Sequence, residues 1–250
     1  MVVSLILLYS TLALCGLILA LVVWKYDLYR VEPWPLLLLA VALGAGFMYL
    51  AGRTQVGLLV AITSRGTLVS DTTYAFIAGS TEEIGKLLGV LVIFLCARKH
   101  FDEPIDGLIY GSMTGLGAAL EESVAVLLHG PSHGFLPPQE PVRLAGHLVM
   151  GGIGGYGAGL WATRQPRGGL SFALWLAVAV TLHTIWDIVA FSAADHFHTY
   201  KRLRWHDNVT PMALMLGGMA VYRSLVASGR RLTREHLRLC DVPPCTTPRD

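Results

Sequence analysis

Charge is scarce in this sequence. Only 14% of its 250 residues are Asp, Glu, Lys or Arg, against 54% hydrophobic. A soluble domain carries about 25% charged residues, so the shortage argues against an ordinary soluble protein, and the mean hydropathy of +0.56 agrees. A formal net charge of +2 offers no basic field for nucleic acid. Cysteine is sparse as well. Cys15 and Cys96 lie in apolar runs and Cys240 and Cys245 near the C-terminus, a pattern that suggests neither a disulfide framework nor a metal knuckle. HExxH, P-loop and GxSxG signatures are all missing, which removes the common soluble zinc peptidase, nucleotide-binding and serine hydrolase motifs. Residues 152–157 fit GxGxxG. No soluble strand precedes them, and glycines in an apolar run read as helix packing.

What the sequence has is long apolar runs. Seven stretches, roughly 2–24, 34–51, 72–97, 104–128, 142–162, 170–194 and 209–227, approach the ~20 residues that a membrane span needs. The segment 53–66, bracketed by Arg53 and Arg65, reads as an interfacial helix or an eighth span. Backbone groups in lipid must bond within their own segment, so the spans are helices. The expected fold is an all-α polytopic membrane bundle of seven or eight transmembrane helices over 1–227, followed by an Arg-rich tail over 228–250. Residues 2–23 lack a basic n-region and are followed by Lys25, the reverse of a cleaved signal, so they form the first span.

Lys and Arg in the short loops set the orientation. Lys25, Arg30, Arg98, Lys99, Arg164, Arg167 and the tail residues Arg230, Arg231, Arg234 and Arg238 fall on one side of a seven-span chain, which is assigned to the cytoplasm. Lys201, Arg202 and Arg204, in the loop expected at 195–208, break the pattern.

Ionisable residues inside apolar helices are expensive, and they mark function by default. Here they gather in four spans: Glu82, Glu83 and Lys86 in the third, Asp106, Glu121 and Glu122 in the fourth, His147 in the fifth, His183 and Asp187 in the sixth. Lys86 is one helical turn from both Glu82 and Glu83, so it pairs with either. His183 and Asp187 are i,i+4 and share a face. Glu122 shares a face with Ala118, Gly115 and Gly111, and His147 with Gly151 and Gly154 or Gly155. Small residues at such spacings let helices approach closely, so these polar groups can meet inside a bundle. Two histidines and a carboxylate make a familiar catalytic zinc set with one position left for water, and a carboxylate outside the set can serve as general base. The bland readings stand beside this one. Asp106 follows Pro104 at a helix start, where capping is its ordinary role. Glu121 reads as a residue near the outer surface. Ser80 near Lys86 permits a Ser–Lys hydrolase.

Glu82-Glu83-Ile84-Gly85-Lys86 resembles the EExxK motif of the PrsW family of intramembrane metalloproteases, a family related to the type II CAAX-prenyl proteases. The stretch from Asp106 through Tyr110-Gly111 to Gly115-Leu116-Gly117, followed by a glutamate, resembles its second motif. His147 followed by Gly155-Tyr156-Gly157 resembles the third, and His183 with Asp187 the fourth. The four occur in the family's order within 72–190. Where the family reads approximately FAxxEN, this chain has Ala118-Ala119-Leu120-Glu121-Glu122-Ser123, with Ala for Phe, Ser for Asn and Glu122 at the family glutamate.

The resemblance implies a peptidase that cuts a membrane-protein or peptide substrate, an anti-sigma factor or another regulatory protein, in a bacterial cytoplasmic membrane. It implies that Glu82 and Glu83, beside Lys86, carry the base. It implies that Glu122, His147 and His183 hold a zinc ion or orient water, and that Asp187 is a further ligand or polar contact. Two other classes remain open: a proton-coupled transporter, since buried Glu, His, Asp and Lys also build proton relays, and a non-catalytic membrane scaffold.

Overall fold

A computed structural model describes residues 2–26, 30–129, 136–200 and 205–239. The described chain is helical throughout, with seven helices and no strand: α1 (Val2–Trp24), α2 (Trp34–Thr63), α3 (Asp71–Cys96), α4 (Pro104–His129), α5 (Gln139–Ala162), α6 (Gly168–Tyr200) and α7 (Trp205–Leu239), plus a single 3-10 turn at Arg98–His100. Local chemistry sets several starts. The Ser70 side chain accepts from Thr73 N–H at 3.2 Å and caps α3. At the start of α4, Asp106 Oδ2 accepts from Glu103 N–H at 2.7 Å, the returning arm of a capping box. Capping is thus what Asp106 does, although it is buried rather than solvated.

Three expected boundaries move. The segment 53–66 is not a separate element, because α2 runs unbroken from Trp34 to Thr63. Arg53 is a good helix former and does not stop the helix. The described bundle has seven long helices rather than eight. The expected loop 195–208 is also mostly helix, since α6 continues to Tyr200 and α7 begins at Trp205. Apolar runs mark where lipid contact ends, not where the backbone stops coiling. Residues 201–204, with Lys201, Arg202 and Arg204, lie outside the described residues. The first part of the expected tail is helical too, as α7 extends to Leu239, whereas Cys240 and Cys245 lie outside the described residues.

The helices divide by environment. α1, α2, α6 and α7 contain stretches long and apolar enough to cross a membrane, and they expose large apolar side chains such as Ile6, Leu38, Leu174 and Leu216. α3, α4 and α5 bury acidic residues: Glu82 and Glu83, Asp106, and Glu140. α4 is buried at every residue from Pro104 to Ala119, and α5 from Gly146 to Leu160. A helix enclosed by other helices need not match lipid on its outer face, so the inner helices are free to carry polar groups.

Glycine sets how closely they pack. A Cβ on Gly107 would stand 2.3 Å from Gly155 O, one on Gly111 2.3 Å from Gly151 O, and one on Gly115 2.1 Å from His147 O. This antiparallel ladder puts the α4 and α5 backbones in direct contact. The end of the ladder at Gly115 and His147 delivers Glu122, two turns further along α4, to the His147 side chain. Gly79 does the same between α3 and α6: a Cβ there would lie 2.9 Å from Thr184 Oγ1 and 3.4 Å from His183 Cβ.

Candidate active site

α3, α4, α5 and α6 bring their ionisable side chains to one place. His183 on α6 is the hub. Its Nδ1 lies 2.7 Å from Glu83 Oε1 on α3, and Lys86 Nζ donates to the same oxygen at 2.5 Å. Its Nε2 faces the other way, 3.4 Å from Glu82 Oε2 and 3.8 Å from Asp187 Oδ1. The His147 ring on α5 meets the His183 ring edge-on, with centroids 5.0 Å apart. Behind it, His147 Nε2 lies 3.1 Å from Glu122 Oε2 on α4. All seven residues singled out in the sequence, Glu82, Glu83, Lys86, Glu122, His147, His183 and Asp187, therefore belong to one connected cluster.

The pairing pattern assigns the imidazole nitrogens. A carboxylate oxygen accepts, so in a neutral ring the nitrogen with the shortest carboxylate contact, His183 Nδ1 at 2.7 Å and His147 Nε2 at 3.1 Å, carries the hydrogen and the other nitrogen presents its lone pair. That leaves His183 Nε2 and His147 Nδ1 as the free donors of electron pairs. His147 Nδ1 and Glu82 Oε2 are buried without a hydrogen-bond partner, a costly state unless something else binds them. One ligand atom from each of Glu82, His147 and His183 lies within 4.8 Å of the other two. Tetrahedral zinc with bonds of about 2.0–2.1 Å separates neighbouring ligand atoms by about 3.4 Å, and the Glu82–His183 pair already stands at 3.4 Å. The residues present fit a divalent transition metal, with nitrogen and oxygen donors suited to zinc.

A cavity of about 690 Å³ opens onto this cluster. Glu82, Glu122, His147, His183 and Asp187 line it, together with Tyr74, Trp186 and Phe191. Glu83 and Lys86 stand behind the His183 ring, outside the lining and almost fully buried. Asp106 takes no part, since the 16 residues to Glu122 correspond to about 24 Å along α4. Glu121 reaches the cavity rim.

Three contributors escaped the sequence reading. Gln55 on α2 donates to Glu82 Oε1 at 3.2 Å and to Thr81 Oγ1 at 3.0 Å, which turns Glu82 Oε2 toward the histidines. Arg143 lies 3.6 Å from Glu122 Oε1 and 3.4 Å from Glu140 Oε2, so it anchors the carboxylate behind His147. Arg53 lines the same cavity. The available signal was spacing: Arg143 and His147 are i,i+4 on one helix face, although an Arg at a span edge is ordinarily a flank. Gln55 gave none, because one polar residue beside an arginine reads as the surface of an interfacial helix.

Comparison with known proteins meets this geometry. The chain is 31% identical over 102 residues to Protease PrsW of Bacillus subtilis (strain 168), a match covering 40% of this chain and 46% of that protein. The chain thus matches about half the length of that curated relative. No solved structure matches. Residues 32–221 match the family described as PrsW family intramembrane metalloprotease, a span that holds all seven cluster residues. On that match the chain belongs to the PrsW family of intramembrane metalloproteases.

Proposed function

We propose that this protein is a membrane-embedded endopeptidase that hydrolyses a peptide bond of a membrane-protein substrate, with Glu82, His147 and His183 holding a zinc ion. The observation that carries the reading is the convergence of one ligand atom each from Glu82, His147 and His183 within 4.8 Å, inside a cavity that all three line, with Glu82 Oε2 and His147 Nδ1 unpartnered among the described residues. Bound zinc supplies Lewis acidity at the scissile carbonyl and lowers the proton affinity of water.

The chain's own residues do the rest. Glu83, anchored by Lys86, accepts from His183 Nδ1 and holds the ring with Nε2 toward the cavity. Glu122, anchored by Arg143, holds His147 in the opposite sense, with Nδ1 toward the cavity. These are two carboxylate–histidine supports of the kind that fix ring orientation and tautomer at metal sites. Asp187 lines the cavity and has no lysine or arginine ion-pair partner among the described residues. It is the acid available to take a proton from the attacking water and return it to the leaving amine. This assignment differs from the sequence expectation in three respects. Glu82 becomes a ligand and Glu83 a support of His183 rather than carriers of the base, Asp187 takes the base role instead of a ligand's, and Glu122 leaves the ligand set.

The substrate follows from the setting. A cavity opening among membrane helices suits a single extended segment rather than a folded soluble domain, and helical peptide must unwind to expose its carbonyls; that the target is a membrane-anchored regulatory protein such as an anti-sigma factor is what the family resemblance suggests. The Arg-rich loops support a site in the half of the bundle away from the cytoplasm, and the family resemblance suggests a bacterial cytoplasmic membrane. The test is metal content and cleavage together. Purified wild-type protein is expected to hold about one zinc per chain and to cut a reconstituted transmembrane substrate. His147→Ala/His183→Ala is expected to do neither. Cleavage at the wild-type rate by that variant would sink the proposal, and pH-coupled transport without cleavage would install a transporter in its place.

A further inference from the structure

The end of the bundle opposite the site carries a second cavity, of about 670 Å³, beside the end of α1 and the last third of α7. Its lining is Tyr26, Arg223, Val226, Ala227, Arg230, Arg231 and Arg234, with no acidic residue. Positions 223, 227, 230 and 234 follow one another at steps of four, three and four, so they form one face of α7.

One arginine is built into the fold. Arg230 donates to the carbonyls of Lys25 at 3.3 Å and Tyr26 at 3.4 Å, just beyond the C-terminal end of α1. Its guanidinium also sits 5.7 Å from the Tyr26 ring centroid. Arg223, Arg231 and Arg234 form no ion pair among the described residues. Three cationic groups without an ion-pair partner among the described residues, grouped around a fixed fourth, make a site for an anion.

Depth says which anion. The apolar stretch of α1 ends at Trp24, and Trp24 packs on Trp34 with ring centroids 5.0 Å apart. Tyr26 packs on Tyr222 at 6.0 Å. Such aromatic groups mark the headgroup level of a bilayer, and Tyr26 floors the cavity. Arginines that only orient a chain need to be near a helix end; they need not converge on one pocket. We propose that this pocket binds the phosphate headgroup of an anionic phospholipid from the leaflet at the Arg-rich end of the bundle. Such pockets between membrane helices are fitted to acidic lipid headgroups.

The test uses the full chain in neutral detergent, titrated with phosphatidylglycerol, phosphatidylcholine or inorganic phosphate while thermal unfolding is followed. The variant is Arg223→Gln/Arg231→Gln/Arg234→Gln; Arg230 is left in place because it ties α7 to α1. Unliganded wild type and variant are expected to unfold at the same temperature, since the three replaced side chains are solvent-facing. Phosphatidylglycerol is expected to raise the wild-type unfolding temperature, and its half-maximal concentration is expected to increase roughly a hundredfold in the variant. Phosphatidylcholine and millimolar phosphate are expected to shift neither protein. An equal response of wild type and variant to phosphatidylglycerol, or none in either, would overturn the proposal. So would inorganic phosphate acting as well as the lipid, which would make the pocket a free-phosphate site. If the variant fails to fold, native mass spectrometry of wild type decides: retained phosphatidylglycerol supports the site, and indifferent retention of both lipids removes it.

Discussion

Glu83 Oε1 accepts from His183 Nδ1 at 2.7 Å while also taking Lys86 Nζ at 2.5 Å. One buried oxygen therefore serves both a histidine of the site and a buried ammonium on its own helix. Glu83→Gln leaves Lys86 without its counter-charge, which costs about 3–5 kcal/mol in buried pairs. The same change loosens the support of His183, for which about 10- to 100-fold in metal affinity is typical. The double change Glu83→Gln/Lys86→Met separates the two effects. It is expected to recover most of the lost thermal stability while metal affinity stays weak. Recovery of both in thermal unfolding and competitive zinc titration would reduce Glu83 to a partner of Lys86.

Metal removal should act on cleavage and on stability together. Binding to the native state alone stabilises it by mass action, and the unpartnered Glu82 Oε2 and His147 Nδ1 are left bare when the ion goes. Chelation is expected to abolish cleavage and to lower the unfolding temperature by several degrees, and added zinc to restore both. Glu82→Gln is expected to unfold at one temperature with or without chelator. A chelator-sensitive Glu82→Gln protein would place the metal elsewhere.

Much of the site was legible because membrane helices make polar residues conspicuous. Glu82, Glu83, Lys86, His147, His183 and Asp187 stood out against apolar runs, and helical spacing already placed Lys86 beside Glu82 or Glu83, of which the fold selects Glu83, and His183 beside Asp187. Which oxygen faces which nitrogen was not legible, since it depends on the rotation of four helices about their axes. The sequence could not say that Glu82 turns to the histidines while Glu83, one residue on, turns behind them. Nor could it expose Gln55, because that requires knowing that α2 continues unbroken past Arg53. The α4–α5 ladder was half legible. Gly111, Gly115 and Gly151 were recognised as small faces, but only the fold shows that they face each other in one register.

That ladder makes a graded prediction. Gly111→Ala puts a Cβ 2.3 Å from Gly151 O, and Gly115→Ala one 2.1 Å from His147 O; backbone cannot yield as a side-chain tip does. Either change is expected to destabilise by at least the ~1–3 kcal/mol of overpacking and to pull Glu122 away from His147. On the same α5 helix, Gly154→Ala meets only Ala179 Cβ at 3.6 Å. It is expected to be neutral or to gain up to about 1 kcal/mol of helix propensity. Thermal unfolding of the three variants checks the order. A stable, active Gly115→Ala protein would mean that the two helices do not touch there.

Not every buried polar residue belongs to the chemistry. Tyr110 OH donates to Glu32, and His100 Nδ1 lies 3.6 Å from the same carboxylate. Glu32, Glu103, Asp106 and Tyr110 are all buried, and Asp106 belongs to one of the four motifs. Tyr110 nevertheless lies three helical turns from Glu122, about 18 Å along α4. Tyr110→Phe and Asp106→Ala are therefore expected to lower stability by about 1–3 kcal/mol, through a lost buried hydrogen bond to the Glu32 carboxylate in the first and a lost cap in the second. Zinc per folded chain and the cleavage rate of the folded fraction should remain at wild-type values in both. Arg143→Met should differ from both: it frees Glu122 behind His147, so metal affinity falls about tenfold or more, in addition to the stability lost when buried Glu140 loses its partner. Measuring metal affinity and metal-free stability for the three variants sorts the polar residues of the bundle into those that hold the helices together and those that hold the site. A loss of zinc in Tyr110→Phe at unchanged stability would break that division.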